Sequence, residues 1–229
     1  MNRGICHLSQ IPLRGGPKSS AEMVSQLLYG ETYQILKEEN NWYYVRMDFD
    51  GYEGWLSDSS IYPYGKILES KVLSSLNHLA SNDIYKGEVF LSMGSEYLPS
   101  SNDETQLYLR DLVMKFVGIP YLWGGRHFSG IDCSGFVQVV HKVLGIKLPR
   151  DASQQQKIGR AVKFKDLILG DIIFFDKNEK IGHVGIYVGN GQIIHSHGCV
   201  RIDKLTKKGI INADNGLQTH QYHSAKRLV

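Results

Sequence analysis

The chain has 229 residues, 42% of them hydrophobic and 21% charged, with a formal net charge of +3. That is an ordinary globular balance, long enough for one large or two small domains with cores of their own. So small and evenly spread a charge argues against nucleic-acid binding, no stretch reaches the ~20 apolar residues of a membrane span, and three cysteines, Cys6, Cys133 and Cys199, point to free thiols rather than a disulfide scaffold.

The start, "MNRGICHLSQIPLRGG", lacks an apolar core long enough for a secretory signal. A cytoplasmic location is the expectation, or a periplasmic or secreted one if a signal was removed before this numbering begins. Through residue 63 the chain reads as short strands between turns. "YQIL", "WYYVRM" and "YEGWL" follow one another closely, with Asn40, Asn41, Asp48, Asp50 and Gly51 as punctuation. This spacing predicts a small barrel or sandwich, and the aromatic and β-branched "WYYVRM" suits a strand. Trp55 is expected in its core.

Residues 64–104 are expected to form a partial second barrel or a connecting segment. "GEVFLSMGS" reads as a strand and "PSSND", 99–103, as a linker. From residue 105 the period changes. Leu107, Leu109, Leu112, Val113 and Phe116 make one helical face, ended by Gly118 and Pro120. A second helix opens at "GIDCSGFVQVVHKVLG", 130–145, where Phe136, Val137, Val140, Val143 and Leu144 recur at helical offsets and Gly145 is the stop. Strand candidates follow at "GDIIFF" (170–175), "HVGIYV" (183–188) and "QIIHSHG" (192–198). A cysteine-bearing helix followed by an antiparallel sheet bearing histidines is an α+β arrangement. The run "KLTKK", 204–208, reads as a solvated turn, and His220 and His223 are assigned to solvent.

Cys133 falls in the first turn of the second helix, where free backbone N–H groups and the dipole favour a thiolate and can hold an oxyanion. Its polar flanks, Asp132 and Ser134, argue against a buried inert thiol, and Asp132 is also suited to cap the helix. The base must come from the strands. With a two-residue Asn-Gly loop at 189–191, His183 and His195 point to opposite faces. With a three-residue loop, Val188 pairs with Gln192, and His183, His195 and His197 share a face. The spacing then supplies a base and an orienting partner but leaves His195 and His197 open. A zinc site from His183, His195, His197 and Cys199 is the rival. Alternation along one strand without a second ligand pair is weak support for it, so no metal and no cofactor are expected.

The blocks "YLWGG", "DCSGFVQ", "LPRDASQQ", "LGDIIFF" and "HVGIYVGNGQIIHSHG" closely resemble, in order over 105–229, the NlpC-type family of papain-like cysteine peptidases. The upstream "GYEGWL" resembles the end of a bacterial SH3-like domain, and the combination resembles the γ-D-glutamyl-L-diamino acid endopeptidase branch. The resemblance implies an SH3-like β-barrel over 1–63 before a papain-like domain. It makes Cys133 the nucleophile, His183 the base and His195 the orienting residue. It further implies substrate contacts at Asp132, Ser134, Ser153, Tyr52, the pocket-wall Trp123 and the amine-binding Glu22. The implied substrate is a murein tripeptide or tetrapeptide with a free N-terminal L-alanine. An exported general wall endopeptidase, a papain-like acyltransferase and an inactive binding module are the alternatives.

Overall fold

The computed structural model describes residues 2–64, 70–82, 84, 86–97, 108–177 and 180–228. "PSSND" at 99–103 and Leu107 of the first helical face lie outside the described residues.

Six short strands open the chain: β1 (Arg3–Ile5), β2 (Gln10–Arg14), β3 (Met23–Leu28), β4 (Thr32–Glu39), β5 (Trp42–Met47) and β6 (Glu53–Ser57). They form one antiparallel sheet in the order β1-β4-β5-β6-β2-β3. The β4–β5 turn sits at Asn40 and Asn41, both left-handed at φ 50° and 62°, as the tight primed turns of hairpins require. The three strands legible in the sequence are β4 to β6, whereas β1 to β3 carry weaker patterns. Ile11, Leu13, Leu27, Tyr33, Val45, Met47 and Leu56 fill the core. Trp55 is buried and leans on Tyr44 with ring centroids 5.2 Å apart.

Among the described residues, 71–82 and 86–97 contribute two short antiparallel ladders. One pairs β7 (Lys71–Val72) with β10 (Glu96–Tyr97), and the other pairs β8 (Asn77–Asn82) with β9 (Gly87–Ser92). Leu73, Val89 and Leu91 pack there against Tyr29 of the β3–β4 turn.

Helix α1 (Leu109–Met114) buries Leu112 and Val113, and single turns carry the chain on to Gly118. The helix is shorter than its apolar period because Phe116 is buried from a turn. The ladder of β11 (Arg126–His127) with β12 (Gly130–Ile131) leads into α2 (Cys133–Val143), and α3 (Ala152–Gln155) follows. Gly145, at φ 77°, ends α2 with its own N–H on the Lys142 carbonyl and that of Ile146 on the His141 carbonyl, a left-handed glycine stop.

Seven strands complete the chain: β13 (Arg160–Val162), β14 (Ile172–Lys177), β15 (Lys180–Gly189), β16 (Gln192–His197), β17 (Cys199–Thr206), β18 (Gly209–Ile211) and β19 (Gln218–Arg227). The order is β13-β19-β14-β15-β16-β17-β18, and β18 also pairs with β19. Six strands therefore close on themselves, which removes the exposed edges of an open sheet. "IIFF" of β14 is apolar throughout because both its faces are buried. Ile172 and Phe174 join Val184, Ile186 and Ile194 against the helix face of Phe136, Val137 and Val140. Ile173 and Phe175 turn inward to Ile193, Leu205 and Ile210.

Candidate active site

Cys133 begins α2, and Asp132 caps it: its Oδ1 accepts from the Gly135 N–H at 2.7 Å, which satisfies one of the free donors of a helix start. The rest of the Asp132 carboxylate is also occupied. Oδ2 accepts from the Gly124 N–H at 2.8 Å, and the buried Arg150 guanidinium donates to both oxygens. Arg150 also donates to Ser134 Oγ at 2.8 Å and to Ser25 Oγ of β3 at 3.2 Å. The acid beside the thiol thus carries a buried counter-charge of its own.

The helix start alone does not make Cys133 a thiolate. Burial, and next the negative charge of Asp132, push the thiol up to about 12 against weaker opposing help from backbone N–H groups and Arg150. Backbone hydrogen bonding at the helix start does favour the thiolate, but the neighbouring carboxylate and desolvation outweigh it. The thiol of Cys133 therefore rests neutral, and to attack as a nucleophile it would need a base.

Imidazoles stand close by on β15 and β16, which pack against α2. The Cys133 thiol meets the backbone of Val184, the residue after His183. The β15–β16 hairpin combines the two registers considered from sequence. Its turn is the two-residue Asn190-Gly191, both left-handed at φ 53° and 69°, and Gly189 rather than Val188 pairs with Gln192. A bulge between Tyr187 and Gly189 inserts one residue, and that flips the remaining pairing. Gly185 comes to lie opposite His195, and a side chain at Gly185 would collide with the His195 Cβ at 2.8 Å. His183 and His195 therefore share a face, with His183 Nε2 2.7 Å from His195 Nδ1.

Burial lowers both imidazoles, so both rest neutral; His183 is well below its ordinary value, and in His195 the Asp203 hydrogen bond opposes the burial. His195 is fully buried, while His197 is exposed with its ring 6.2 Å from that of His195.

His220 corrects the sequence assignment. It lies on β19, half-buried, stacked on His183 with centroids 4.0 Å apart and planes 20° apart. Barrel closure brings it there; His223 on the same strand is exposed. Among the described residues, His183, His195 and His220 are the set whose ligand atoms converge, within 4.8 Å of one another. His197 and Cys199, which the zinc alternative needed, are not in that set.

Glu22, Tyr52, Trp123, Asp132, Cys133, Ser134 and Ser153 line one cleft of about 240 Å³. Glu22 and Tyr52 come from the loops that lead into β3 and β6, and the others from the second unit. Trp123 Nε1 donates to Glu22 Oε1 at 2.6 Å, and the Tyr52 hydroxyl donates to Asp151 Oδ1 at 3.3 Å. Sequence reasoning passed over Tyr121, Arg150 and Asp151 of this cleft. "LPRD" and "YLWGG" were in view, but nothing local separates a lining tyrosine or acid from a loop residue. Burial raises Tyr121 further above its ordinary value beside Cys133 and Asp132, and burial with Asp151 raises Tyr52 to about 12, so both hydroxyls stay protonated donors.

The sheet and the helical unit are joined by buried charge. Arg126 donates to both oxygens of Glu31 at 2.8 Å, and Lys142 Nζ reaches Glu31 Oε1 at 2.7 Å and Glu96 Oε1 at 2.8 Å. Burial alone would raise Glu31, but Arg126 and Lys142 lower it to about 2.

Sequence comparison matches residues 118–217 to the NlpC/P60 family and residues 13–61 to the bacterial dipeptidyl-peptidase Sh3 domain. A gamma-D-glutamyl-L-lysine dipeptidyl-peptidase of Bacillus subtilis is 32% identical over 211 residues, covering 75% of this chain and 71% of that protein. The murein DD-endopeptidase MepS/murein LD-carboxypeptidase of Escherichia coli K12 is 32% identical over 152 residues, 60% of this chain and 77% of its own length. An NlpC/P60 family protein of Bacillus cereus has the same fold, with a TM-score of 0.84 over 99% of both chains at 21% identity.

Proposed function

The chain belongs to the NlpC/P60 family, a family of cell-wall peptide hydrolases, and from that premise we propose that it hydrolyses the amide between γ-D-glutamate and the following diamino acid in murein peptides with a free N-terminal L-alanine. The reading rests above all on one observation. Barrel residues Glu22 and Tyr52 stand in the same cleft as Cys133, so the barrel is a wall of the site.

In this reading the wall limits the N-terminal side of the scissile bond to two residues. The substrate amine then ends as a cation in a confined place, and a confined cation needs a partner. Asp132 is already neutralised by Arg150. Glu22 and Asp151, the latter held by Tyr52, are the acids free to take the amine. In this reading Asp132, with Arg150, shapes the pocket floor, and Ser134 and Ser153 meet the peptide.

Chemistry starts from the neutral pair. As the Cys133 sulfur attacks the scissile carbonyl, its proton passes to His183. The Cys133 backbone N–H and the Tyr121 hydroxyl donate to the oxyanion. His183 returns the proton to the leaving amine as the C–N bond breaks, leaving a thioester on Cys133. Water, deprotonated by His183, hydrolyses it and regenerates the thiol. A helix-borne thiol against barrel-borne histidines is the papain-like arrangement. A free-amine requirement suits peptides already released from the wall, and so recycling in the cytoplasm.

The test compares free L-Ala-γ-D-Glu-diamino acid tripeptide with the same stem linked through its amine to muramic acid. Linkage removes the charge and collides with the barrel. Cleavage of the linked stem is expected to be at least ~100-fold poorer in kcat/KM, the ~2.7 kcal/mol of one lost charged interaction. Equal values on both would return the protein to general wall endopeptidases.

A further inference from the structure

We propose that Asp203 is a positioning residue that fixes the tautomers of His195 and His183 and so selects the nitrogen with which His183 takes the thiol proton. The proposal rests on the reading of Cys133, His183 and His195 as the catalytic centre.

Asp203 lies on β17 opposite Ile193, and its side chain is fully buried. A buried carboxylate is tolerable only when its oxygens are hydrogen-bonded, and here four donors meet it. His195 Nε2 at 3.0 Å and Arg201 Nε at 2.9 Å share Oδ2. Arg201 Nη2 at 2.9 Å and the Ala213 N–H at 2.8 Å share Oδ1. Arg201 is itself anchored to Asp214 at 2.8 Å. Burial alone would raise the Asp203 carboxyl, but these donors hold it well below its ordinary value, so it is ionised.

An ionised carboxylate only accepts. The hydrogen between His195 and Asp203 must therefore sit on His195 Nε2. A neutral imidazole carries one N–H, so His195 Nδ1 is bare and accepts. Its partner at 2.7 Å is His183 Nε2, which must then carry the hydrogen. His183 Nδ1 is left with the lone pair, and it is the nitrogen available to the thiol. Asp203 thus sets both tautomers, first that of His195 and through it that of His183. Asp203 does not touch the cleft, so its effect falls on the proton transfer rather than on substrate binding.

Asp203→Asn tests this. One end of the amide becomes a donor facing donors: at the Oδ2 position it meets His195 and Arg201 Nε, and at the Oδ1 position Arg201 Nη2 and the Ala213 N–H. Relief at His195 requires the opposite tautomer there, and by relay a hydrogen on His183 Nδ1. The expected result is a kcat about 10–100-fold lower on the free tripeptide with KM within twofold, the size of effect seen for partners one step behind a working imidazole. Nitrogen-15 NMR of the wild-type imidazoles should show hydrogen on Nε2 and a bare Nδ1 in both His195 and His183, with the pattern inverted in the variant. An unchanged kcat in folded Asp203→Asn, or a wild-type spectrum with hydrogen on His195 Nδ1, would overturn the proposal. If the variant does not fold, the wild-type spectrum decides. Cys133→Ala separates the two readings: retained hydrolysis there sinks the catalytic centre itself, whereas its loss beside an unaffected Asp203→Asn sinks only the role of Asp203.

Discussion

Glu31→Gln removes the negative charge at the junction of barrel and helical unit while keeping the side chain's size. The Glu31 oxygens now meet Arg126 twice, Lys142 once and the Leu28 N–H at 2.8 Å, and both cations also face the Phe49 ring. Glutamine keeps one acceptor oxygen and turns an amide donor toward one of the cations. Arg126 is fully buried and is left without a carboxylate, and Lys142 keeps only the partly exposed Glu96. Breaking a buried pair from one side costs ~3–5 kcal/mol. Linkage gives a similar figure, since lowering Glu31 from an ordinary 4.5 to about 2 corresponds to about 3 kcal/mol. For a protein of this size the expected fall in Tm is about 6–20 °C, read by calorimetry. The pH signature is directional. A carboxyl lowered in the folded state contributes stability above 4.5 and loses it as pH falls toward about 2, so the wild type should destabilise through that window more steeply than the variant. Because the junction holds Glu22 and Tyr52 in the cleft, KM for the free tripeptide should rise as well. A loss under ~1 kcal/mol with an unchanged acid limb would show that the junction is held by apolar contact instead, and the reasoning would fail.

Asp151→Asn should raise KM for the free tripeptide about 10–100-fold, the ~1.5–3 kcal/mol of a charged hydrogen bond, and leave kcat nearly alone; steady-state kinetics with an unaltered KM would exclude Asp151 as an amine partner. The pH profile of kcat/KM should have its acid limb below 6.5, since burial lowers His183 and keeps it a neutral base there. Its alkaline limb should lie near 8, where the substrate's own α-amine loses its charge. An acid limb above 6.5, or an alkaline limb that persists with an N-acetylated stem, would contradict the assignment.

What the sequence disclosed follows the range of its signals. Asp132, Cys133 and Gly145 announce α2 because a cap, a first turn and a stop lie within one short stretch. Strands β14 to β16 are legible because burial leaves them dense in apolar residues. Strand β19, "QTHQYHSAKR", carries no apolar alternation, because much of it is exposed, and so His220 looked solvated. The bulge at Val188 leaves no mark in composition, yet it decides whether His183 and His195 meet. Asp203 sits in "RIDKLTKK", where a charged run looks like surface until barrel closure buries one member of it. Glu31 lies 95 residues from Arg126 and 111 from Lys142, a separation at which no local pattern exists.

Long-range contacts also fix where the barrel sits against the second unit. Gly124, at φ 76°, brings the second unit so close to the barrel that an added Cβ would stand 2.4 Å from the Met23 carbonyl. That contact sets Trp123 beside Glu22, next to Met23 in the chain. At the far side, Glu31 fixes the barrel to Arg126 and to Lys142 of α2, and Leu28 packs into the helical core. The barrel is therefore held at two places, through Met23 at Gly124 and through Glu31 at Arg126 and Lys142. The proton relay from Asp203 through His195 to His183 belongs to the second barrel alone and has no part in this junction. Under the proposed function, rate and substrate length are thus expected to depend on separate structures. Loosening the junction should spare the chemical step while widening the choice of stem peptides, and breaking the relay should slow hydrolysis of every stem alike. If the barrel closes the cleft as proposed, a papain-like unit takes its preference for free peptide ends from the placement of a neighbouring barrel, with no change at Cys133 or His183.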